Sequence, residues 1–502
     1  MCMLKERSIK NLFFGLTSFV ITTLIGLLIP RLFLLSYGSE TNGLINSVKQ
    51  IFSYFTLLEA GVGGATLQAL YGPMARKDKQ EISAILSATN NFYKKTGILY
   101  AVAVVAMAIL YPVLVKTTLP TSIVVWIILF QGEAGVIKYL VTSKLQLLLK
   151  VDGRNYILTN LGTIFAIGSN VARIVLMYAG FGVLWVQAVF CIIDICQVVF
   201  IVLYIRKHYG WLDLKEQPNY QAISQKNSVL IHQISGLIFN NTDTIILTFF
   251  CGLKVVSVYA MYSMLFGMVA NVIGYISSSV SFAMGQLFNS DRKRYEKVQE
   301  VYETYYLSIS FALFTIAYIF ILPFLRLYTS GVSDIDYIDK WIPCLFVIFQ
   351  ILNYGRNTSN NIIDYAGHYR QTQWRAVLEM SINLIVSIIC VYKFGLYGVL
   401  FGTIVALLYR TNDIILYANR IIMKRSAWPT YRRWLRNILL LFICAYVGSY
   451  LPESYSNYGI LIVYTAVVSV CILIFFMVIN TVFEKRAREI VLKYLRRNFN
   501  GK

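Results

Sequence analysis

Apolar runs of about twenty residues follow one another along the whole chain, separated by polar stretches that alternate in character. The runs fall at 11–37, 43–70, 96–115, 121–147, 156–179, 183–205, 227–250, 255–284, 300–325, 341–365, 374–392, 396–419, 437–451 and 459–482. At about 1.5 Å per residue, roughly twenty apolar residues cross the ~30 Å hydrocarbon core of a bilayer. The pattern therefore predicts an all-α polytopic membrane protein of about fourteen transmembrane helices. The runs are too long and alternate too poorly for a membrane β-barrel. The first run exceeds the short apolar core of a signal peptide, and no small-residue cleavage site follows it, so it reads as a retained helix.

The connections come in two kinds. One set is basic: "MARKDKQE", "LKVDGRN", "NSDRKRYEKV", "MKRSAWPTYRRWLR" and the tail "EKRAREIVLKYLRR". The other set is short and nearly free of cations: "GSETN", "AGFG", "FCGLK" and "LPESYSN". Of 45 Lys and Arg, 33 fall on the first side and five on the second: Lys116, Lys254, Arg326, Lys340 and Lys393. Cytoplasmic loops collect Lys and Arg, so both termini are expected in the cytoplasm, as an even helix count requires. The formal charge of +21 is then a topology signal and a contact with anionic lipid heads. It does not point to nucleic acid. Charged residues are 14% of the chain, against about 25% in a soluble domain.

The two halves echo each other at an offset near 214 residues. "KVDGRNYILTN" at 150–160 matches "DYAGHYRQTQW" at 364–374. "ARKDKQEI" at 75–82 matches "NSDRKRYEKV" at 289–298. Phe181-Gly182 matches Phe394-Gly395, and Asp194 matches Asp413. Each repeat holds six helices, an even number, so both share one orientation. The expected organisation is an N-lobe at 1–210, a cytoplasmic linker at 211–226, a C-lobe at 227–425, and two further helices with a basic tail at 426–502. Two six-helix lobes are a transporter architecture.

The seven cations that remain after these two sets lie within the runs: Arg31, Lys49, Lys138, Lys144, Arg173, Arg356 and Arg410. An ionisable group inside a bilayer is costly and is a functional candidate by default. Arg31 lies seven residues before Gly38 and Lys49 seven after Asn42, so the two sit at similar depth on successive antiparallel helices. Glu59 lies ten residues beyond Lys49. Arg31 and Lys49 are candidates to grip a pyrophosphate, with Lys138, Arg173 and Arg356 as further substrate-binding cations. Lys138, Lys144 and Arg356 have no partner nearby in sequence. Arg410 and Asp413, three apart, share a helix face and can neutralise each other. Arg173 and Asp194 lie at similar distances from the turn that joins their helices and form a second candidate pair. Asp243, Asp194, Glu59 and Asp413 are candidates for ion coupling, with H+ or Na+ as the coupling ion. Gly61, Gly63 and Gly64 interrupt the second helix, for close packing or a bend.

Other chemistries are not supported. There is no Walker A sequence. The three histidines lie far apart, and the eight cysteines show no disulfide or metal spacing. "SDIDYID" (Asp334, Asp336, Asp339) reads as an acidic loop and not as the metal site of a glycosyltransferase. No cofactor is expected.

"IPRLFLLSYGSETNGLINSVKQIFSYFTLLEAGVGGATLQALYGPMARKDK" resembles the opening of the oligosaccharide flippases of O-antigen and capsule type (Wzx-type). "HQISGLIFNNTDTIILTFFCGLKVVSVYAMYSML", with Asp243 in its Asn-x-x-Asp setting, resembles the start of their second lobe. These belong to the multidrug/oligosaccharidyl-lipid/polysaccharide (MOP) exporter superfamily. The resemblance implies a V-shaped pair of six-helix lobes in the bacterial inner membrane. It also implies ion-driven export of undecaprenyl-pyrophosphate-linked repeat units for surface polysaccharide or lipopolysaccharide. Such a protein would act as a monomer in the bilayer, beside a polysaccharide polymerase and a chain-length regulator. A lipid II flippase shares the pyrophosphate handle. A multidrug cation exporter would favour an acidic cavity. A glycan polymerase or ligase would carry a large outer loop, and the longest such loop here, about 326–340, is small.

Overall fold

The computed structural model describes residues 2–59, 61–223 and 227–489. The basic tail beyond Glu489, part of the cytoplasmic-terminus expectation, lies outside the described residues. The described chain is helical throughout and divides by contact into two units, Met1–Ser257 and Val258–Lys502.

The first unit contains α1 (Cys2–Phe55), α2 (Val62–Arg76), α3 (Lys79–Leu114), α4 (Thr121–Ile137), α5 (Ser143–Val151), α6 (Asn155–Tyr178), α7 (Val183–His208) and α8 (Asn227–Phe250). α9 (Leu253–Ser290) starts at its edge. The second unit continues with α10 (Arg292–Tyr328), α11 (Trp341–Gly355), α12 (Asn357–Tyr365), α13 (Tyr369–Phe394), α14 (Leu396–Leu416), α15 (Trp428–Gly448) and α16 (Tyr458–Phe483). Each of the fourteen expected spans corresponds to helix. Among the described residues ten helices are long and apolar enough to cross a membrane. The smaller number has local causes. α1 carries two spans joined at Gly38, whose φ of 77° and ψ of 173° break the helix. α11 and α12 are halves of one span broken at Arg356. α8 carries the polar run NNTDT at 240–244, and α15 opens with arginines.

Gly38 is the joint between the two legs of α1. Around it, Tyr37 donates to the Phe181 carbonyl (2.7 Å) and Glu40 accepts from the Thr118 backbone (2.7 Å), both in cation-poor connections. Past the turn, Ser47 bonds Thr248 (2.8 Å) and Tyr54 bonds Thr242 (2.8 Å), so the second leg runs down antiparallel to α8. α8 therefore packs in the first unit, although the sequence repeat places it first in the second set. Repeat membership and packing partner are separate properties.

The repeat reappears as backbone geometry. Gly38 and Gly252, 214 apart, both have positive φ (77° and 86°), as do Gly153 and Gly367 (71° and 68°), also 214 apart. Asp78 and Asp291, 213 apart, both cap a long helix by accepting from the backbone N–H three residues on, each at 3.0 Å. Such caps satisfy N–H groups that a helix leaves unpaired. The fourth helix of each repeat is interrupted: Lys138–Thr142 forms a π turn, and Arg356, 214 beyond Thr142, separates α11 from α12.

Small residues let α13 and α14 approach closely. A Cβ on Gly402 would stand 2.6 Å from the Ser387 backbone nitrogen, and one on Gly398 would collide with the Cys390 carbonyl. Gly398 and Gly402 form the Gly-x-x-x-Gly spacing that favours close helix contact in membranes.

The C-terminal pair is tied down by charge. α15 begins nine residues before the expected start of the thirteenth span, because Arg433 and Arg436 turn inward. Arg433 meets Glu303 of α10 (2.7 Å) and Glu484 (3.1 Å), and Arg436 meets Glu484 (3.2 Å) and Asn480 (2.8 Å). These two arginines, counted among the charges of the basic connections, are thus buried or half-buried and paired.

Candidate functional site

In the first unit the second span breaks in the middle. Thr56–Glu59 tightens into a 3-10 turn, and Gly61 takes φ 73° before α2 begins. A left-handed residue costs little only at glycine. The break turns Glu59 toward α3 and α4: Tyr93 donates to its carboxylate at 2.8 Å, and Lys138 stands 3.8 Å away. Lys138 opens the π turn and lies over the Tyr139 ring (5.1 Å), which packs on Tyr93 and Tyr100. π turns within α-helices recur at functional sites. A Cβ on Gly63 would come within 2.5 Å of the Glu59 carboxylate, so that glycine serves close packing. Lys144 is buried and folds back onto its own helix, donating to the Leu140 carbonyl at 2.6 Å.

A second group joins α4, α6 and α7. Arg173 stacks on the Phe190 ring at 3.6 Å and interacts electrostatically with Asp194, without closing a direct ion pair. Cys191 donates to Glu133 at 3.2 Å. The Arg173 Nε and one Glu133 oxygen are buried with no hydrogen-bond partner.

The second unit holds a continuous network. Arg356, at the helix break, donates to Glu379 (2.6 Å) and Asn353 (3.0 Å). Glu379 also meets Arg410 (3.4 Å), Arg410 meets Asp413 (2.6 Å), and Asp413 closes on Arg375. Arg375 lies 4.7 Å over the Tyr417 ring, and the Tyr417 hydroxyl bonds His368 at 3.0 Å. Three guanidinium groups share two carboxylates, which leaves one excess positive charge inside the helical layer. Such excess suits an anionic ligand.

The nine candidate residues thus do not form one group. Glu59 and Lys138 come together, as do Arg173 and Asp194, and Arg356 and Asp413 are linked through Glu379 and Arg410. Arg31 is half-buried and Lys49 exposed, on the two legs of α1. Asp243 is buried beside Tyr54 of α1, next to the Tyr54–Thr242 bond. The absence of near partners for Lys138 and Arg356 held only along the sequence: Glu59 and Glu379 supply them from other helices, while Lys144 bonds the Leu140 carbonyl one turn back. Glu379 and Arg375 were missed. The signal for Glu379 was a lone carboxylate in the apolar interior of α13.

The acidic loop behaves as a helix entry. Asp339 accepts from the backbone of Trp341 (2.7 Å) and Ile342 (3.1 Å), and Asp336 from that of Ile338 (2.8 Å). Among the described residues no group of His, Cys, Asp and Glu could hold a metal.

No family model matches the chain, and no curated protein matches it. Solved structures do. The inward closed conformation of the lipid II flippase MurJ aligns with a TM-score of 0.67 at 14% identity, over 96% of this chain and all of that one. An outward-facing multidrug resistance MATE transporter of the MOP superfamily aligns with a TM-score of 0.52 at 15% identity, over 83% of this chain and 95% of that one. An inward-facing MATE structure gives 0.53 at 15% identity, over 79% and 93%. The chain has the fold of these proteins. They are membrane transporters and flippases, not enzymes, and this chain is a multi-pass membrane protein of that architecture.

Proposed function

We propose that this protein is a flippase that carries undecaprenyl-pyrophosphate-linked oligosaccharide repeat units across the bacterial inner membrane for surface polysaccharide assembly. Both termini lie in the cytoplasm, and the cycle runs on an H+ or Na+ gradient. One observation carries the choice of a lipid-linked substrate over a drug. The MurJ alignment covers 96% of the chain, so it cannot omit α15 and α16, which together hold 47 residues (21 and 26). The MATE alignments leave between 11% and 21% of the chain unmatched. The spare positive charge of the network, with Arg31, Lys49, Lys138 and Arg173, is the chemistry that a pyrophosphate needs and an organic cation does not. Asp243, Asp194, Glu59 and Asp413 are the residues assigned to ion coupling.

The match to a lipid II flippase supports a second reading, that lipid II is the cargo. Native mass spectrometry of the detergent-purified protein separates the cases. The protein is offered undecaprenyl-pyrophosphate oligosaccharide, lipid II and ethidium together. The proposal expects retention of the oligosaccharide lipid. Preferential retention of lipid II would favour the second reading, and retention of ethidium alone would overturn both.

A further inference from the structure

α9 differs from the other membrane helices in what it leaves uncovered. Its first half, to Ala270, is largely buried or half-buried. From Asn271 onward one face is exposed at intervals of three and four residues. That face carries Asn271, Tyr275, Ser278, Phe282, Gln286 and Asn289, with the smaller apolar side chains of Val272 and Ala283 exposed beside them. Tyr275 is 54% and Phe282 75% exposed. By contrast α16 exposes Ile460, Val463, Val467, Val470 and Ile474. Asn271, Tyr275, Ser278 and Phe282 fall within the apolar run 255–284, and Gln286 and Asn289 follow it; an unpaired amide such as Asn271 held against hydrocarbon would cost several kcal/mol. The α9 stripe therefore borders a space that admits water or a polar ligand.

The stripe is also uncharged, unlike the clusters above. The only charged residue in α9 is Lys254, near its other end. Asn271 and Gln286 make no side-chain hydrogen bond to a described residue. Ser278 is satisfied by the Tyr275 carbonyl (3.0 Å) and Asn289 donates to the Gly285 carbonyl (2.9 Å), which leaves oxygens able to accept. At its basic end the stripe opens into a recess of about 840 Å³, lined by Ser281, Phe282, Gln286, Asn289 and Tyr365 among others.

We propose that this face of α9 with its recess is the sugar-reading surface of the protein, taking the neutral glycan part of the cargo. Amides and hydroxyls pair with sugar hydroxyls as both donors and acceptors. The exposed faces of Tyr275 and Phe282 stack on the C–H face of a pyranose ring. An anion site would need cations, and a hydrocarbon tail would need an apolar groove; the stripe offers neither. The inference rests on the flippase reading for its choice of ligand, and it divides the work: cations hold the pyrophosphate, and α9 discriminates the glycan.

The test uses full-length protein in liposomes carrying single substitutions Asn271→Cys, Ser278→Cys or Gln286→Cys, with Val467→Cys on α16 as the lipid-facing control. A hydrophilic maleimide is applied from both sides and labelled sites are read by peptide mass spectrometry. The three α9 cysteines should label and Val467→Cys should not. Undecaprenyl-pyrophosphate oligosaccharide extracted from the cells that make the protein should slow labelling of the α9 cysteines, whereas bare undecaprenyl pyrophosphate should not. Asn271→Leu with Gln286→Leu, in the Ser278→Cys background, should weaken that protection roughly thirtyfold, as expected for losing two hydrogen bonds of about 1 kcal/mol each. No labelling on α9, equal protection by both lipids, or protection by neither would overturn the inference. Translocation of the same lipid by the wild type is scored separately: protection without translocation would sink the flippase reading and leave the sugar site standing.

Discussion

Removing the Glu379 carboxylate is expected to destabilise the second unit more than any other single change in its charged network. Glu379 is the only acid shared by Arg356 and Arg410, at 2.6 and 3.4 Å, and the three side chains are 10%, 14% and 6% exposed. Glu379→Gln keeps the shape and raises the excess charge of the network from one to two. Breaking a buried pair by removing one partner costs about 3–5 kcal/mol, because the remaining charge stays buried. The unit spans Val258–Lys502, a size at which each kcal/mol moves the unfolding temperature by about 2–4 °C. The expected fall is therefore about 6–20 °C, read by the thermal unfolding of purified protein in detergent. Glu379→Gln combined with Arg356→Gln restores the charge balance and should recover more than half of the loss. An unfolding temperature for Glu379→Gln within about 2 °C of wild type would refute the view that this network is a coupled, desolvated unit.

Gly402→Ala should cost about 1–3 kcal/mol by forcing α13 off α14, seen as a lower unfolding temperature; an unchanged value would contradict the close approach to Ser387. Burial pushes the Glu484 carboxyl up, but hydrogen bonds from Arg433 and Arg436 outweigh burial and hold it below its ordinary value. Its contribution is complete above the unfolded carboxylate value, about 4.3, and is lost as pH falls through the lower folded value. The stability gap between wild type and Glu484→Gln should therefore close on acidification, and a gap that widens would reverse the sign. Arg31→Ala should abolish transport and Arg31→Lys restore it only in part, since a guanidinium grips phosphate through two parallel bonds; normal transport by Arg31→Gln would remove Arg31 from the site. Asp243→Asn or Asp194→Asn should slow transport more than substrate binding, and normal ion dependence in both would exclude them from coupling.

The helices and the repeat were legible because a bilayer fixes how long an apolar run must be, and because turns need particular residues. Gly153 and Gly367, and Asp78 and Asp291, lie in the segments that match in sequence and stand at matching turns and caps in the structure. The breaks were less legible. "KYLVT" at 138–142 contains neither Gly nor Pro to mark its π turn. Arg356 breaks its helix with no local sequence cue beyond Gly355. The partners of the buried charges were not legible, because they come from other helices: Glu59 and Lys138 are 79 residues apart, and Glu303 and Arg433 are 130 apart. Arg433 and Arg436 looked like loop charges because the basic cluster runs straight into α15. The polar face of α9 was diluted along the sequence by the apolar residues between its members and appears only when exposure is known.

The central claim is translocation of a lipid-linked glycan without bond chemistry. Its most direct measurement uses proteoliposomes preloaded with undecaprenyl-pyrophosphate oligosaccharide in both leaflets and an imposed proton or sodium gradient. Lectin binding from outside reports the glycan in the outer leaflet. The account predicts gradient-dependent movement that leaves the lipid chemically intact by mass spectrometry and is absent in liposomes bearing Arg31→Ala. Lectin binding that stays at the protein-free level under both gradients, or a chemically altered lipid, would contradict it.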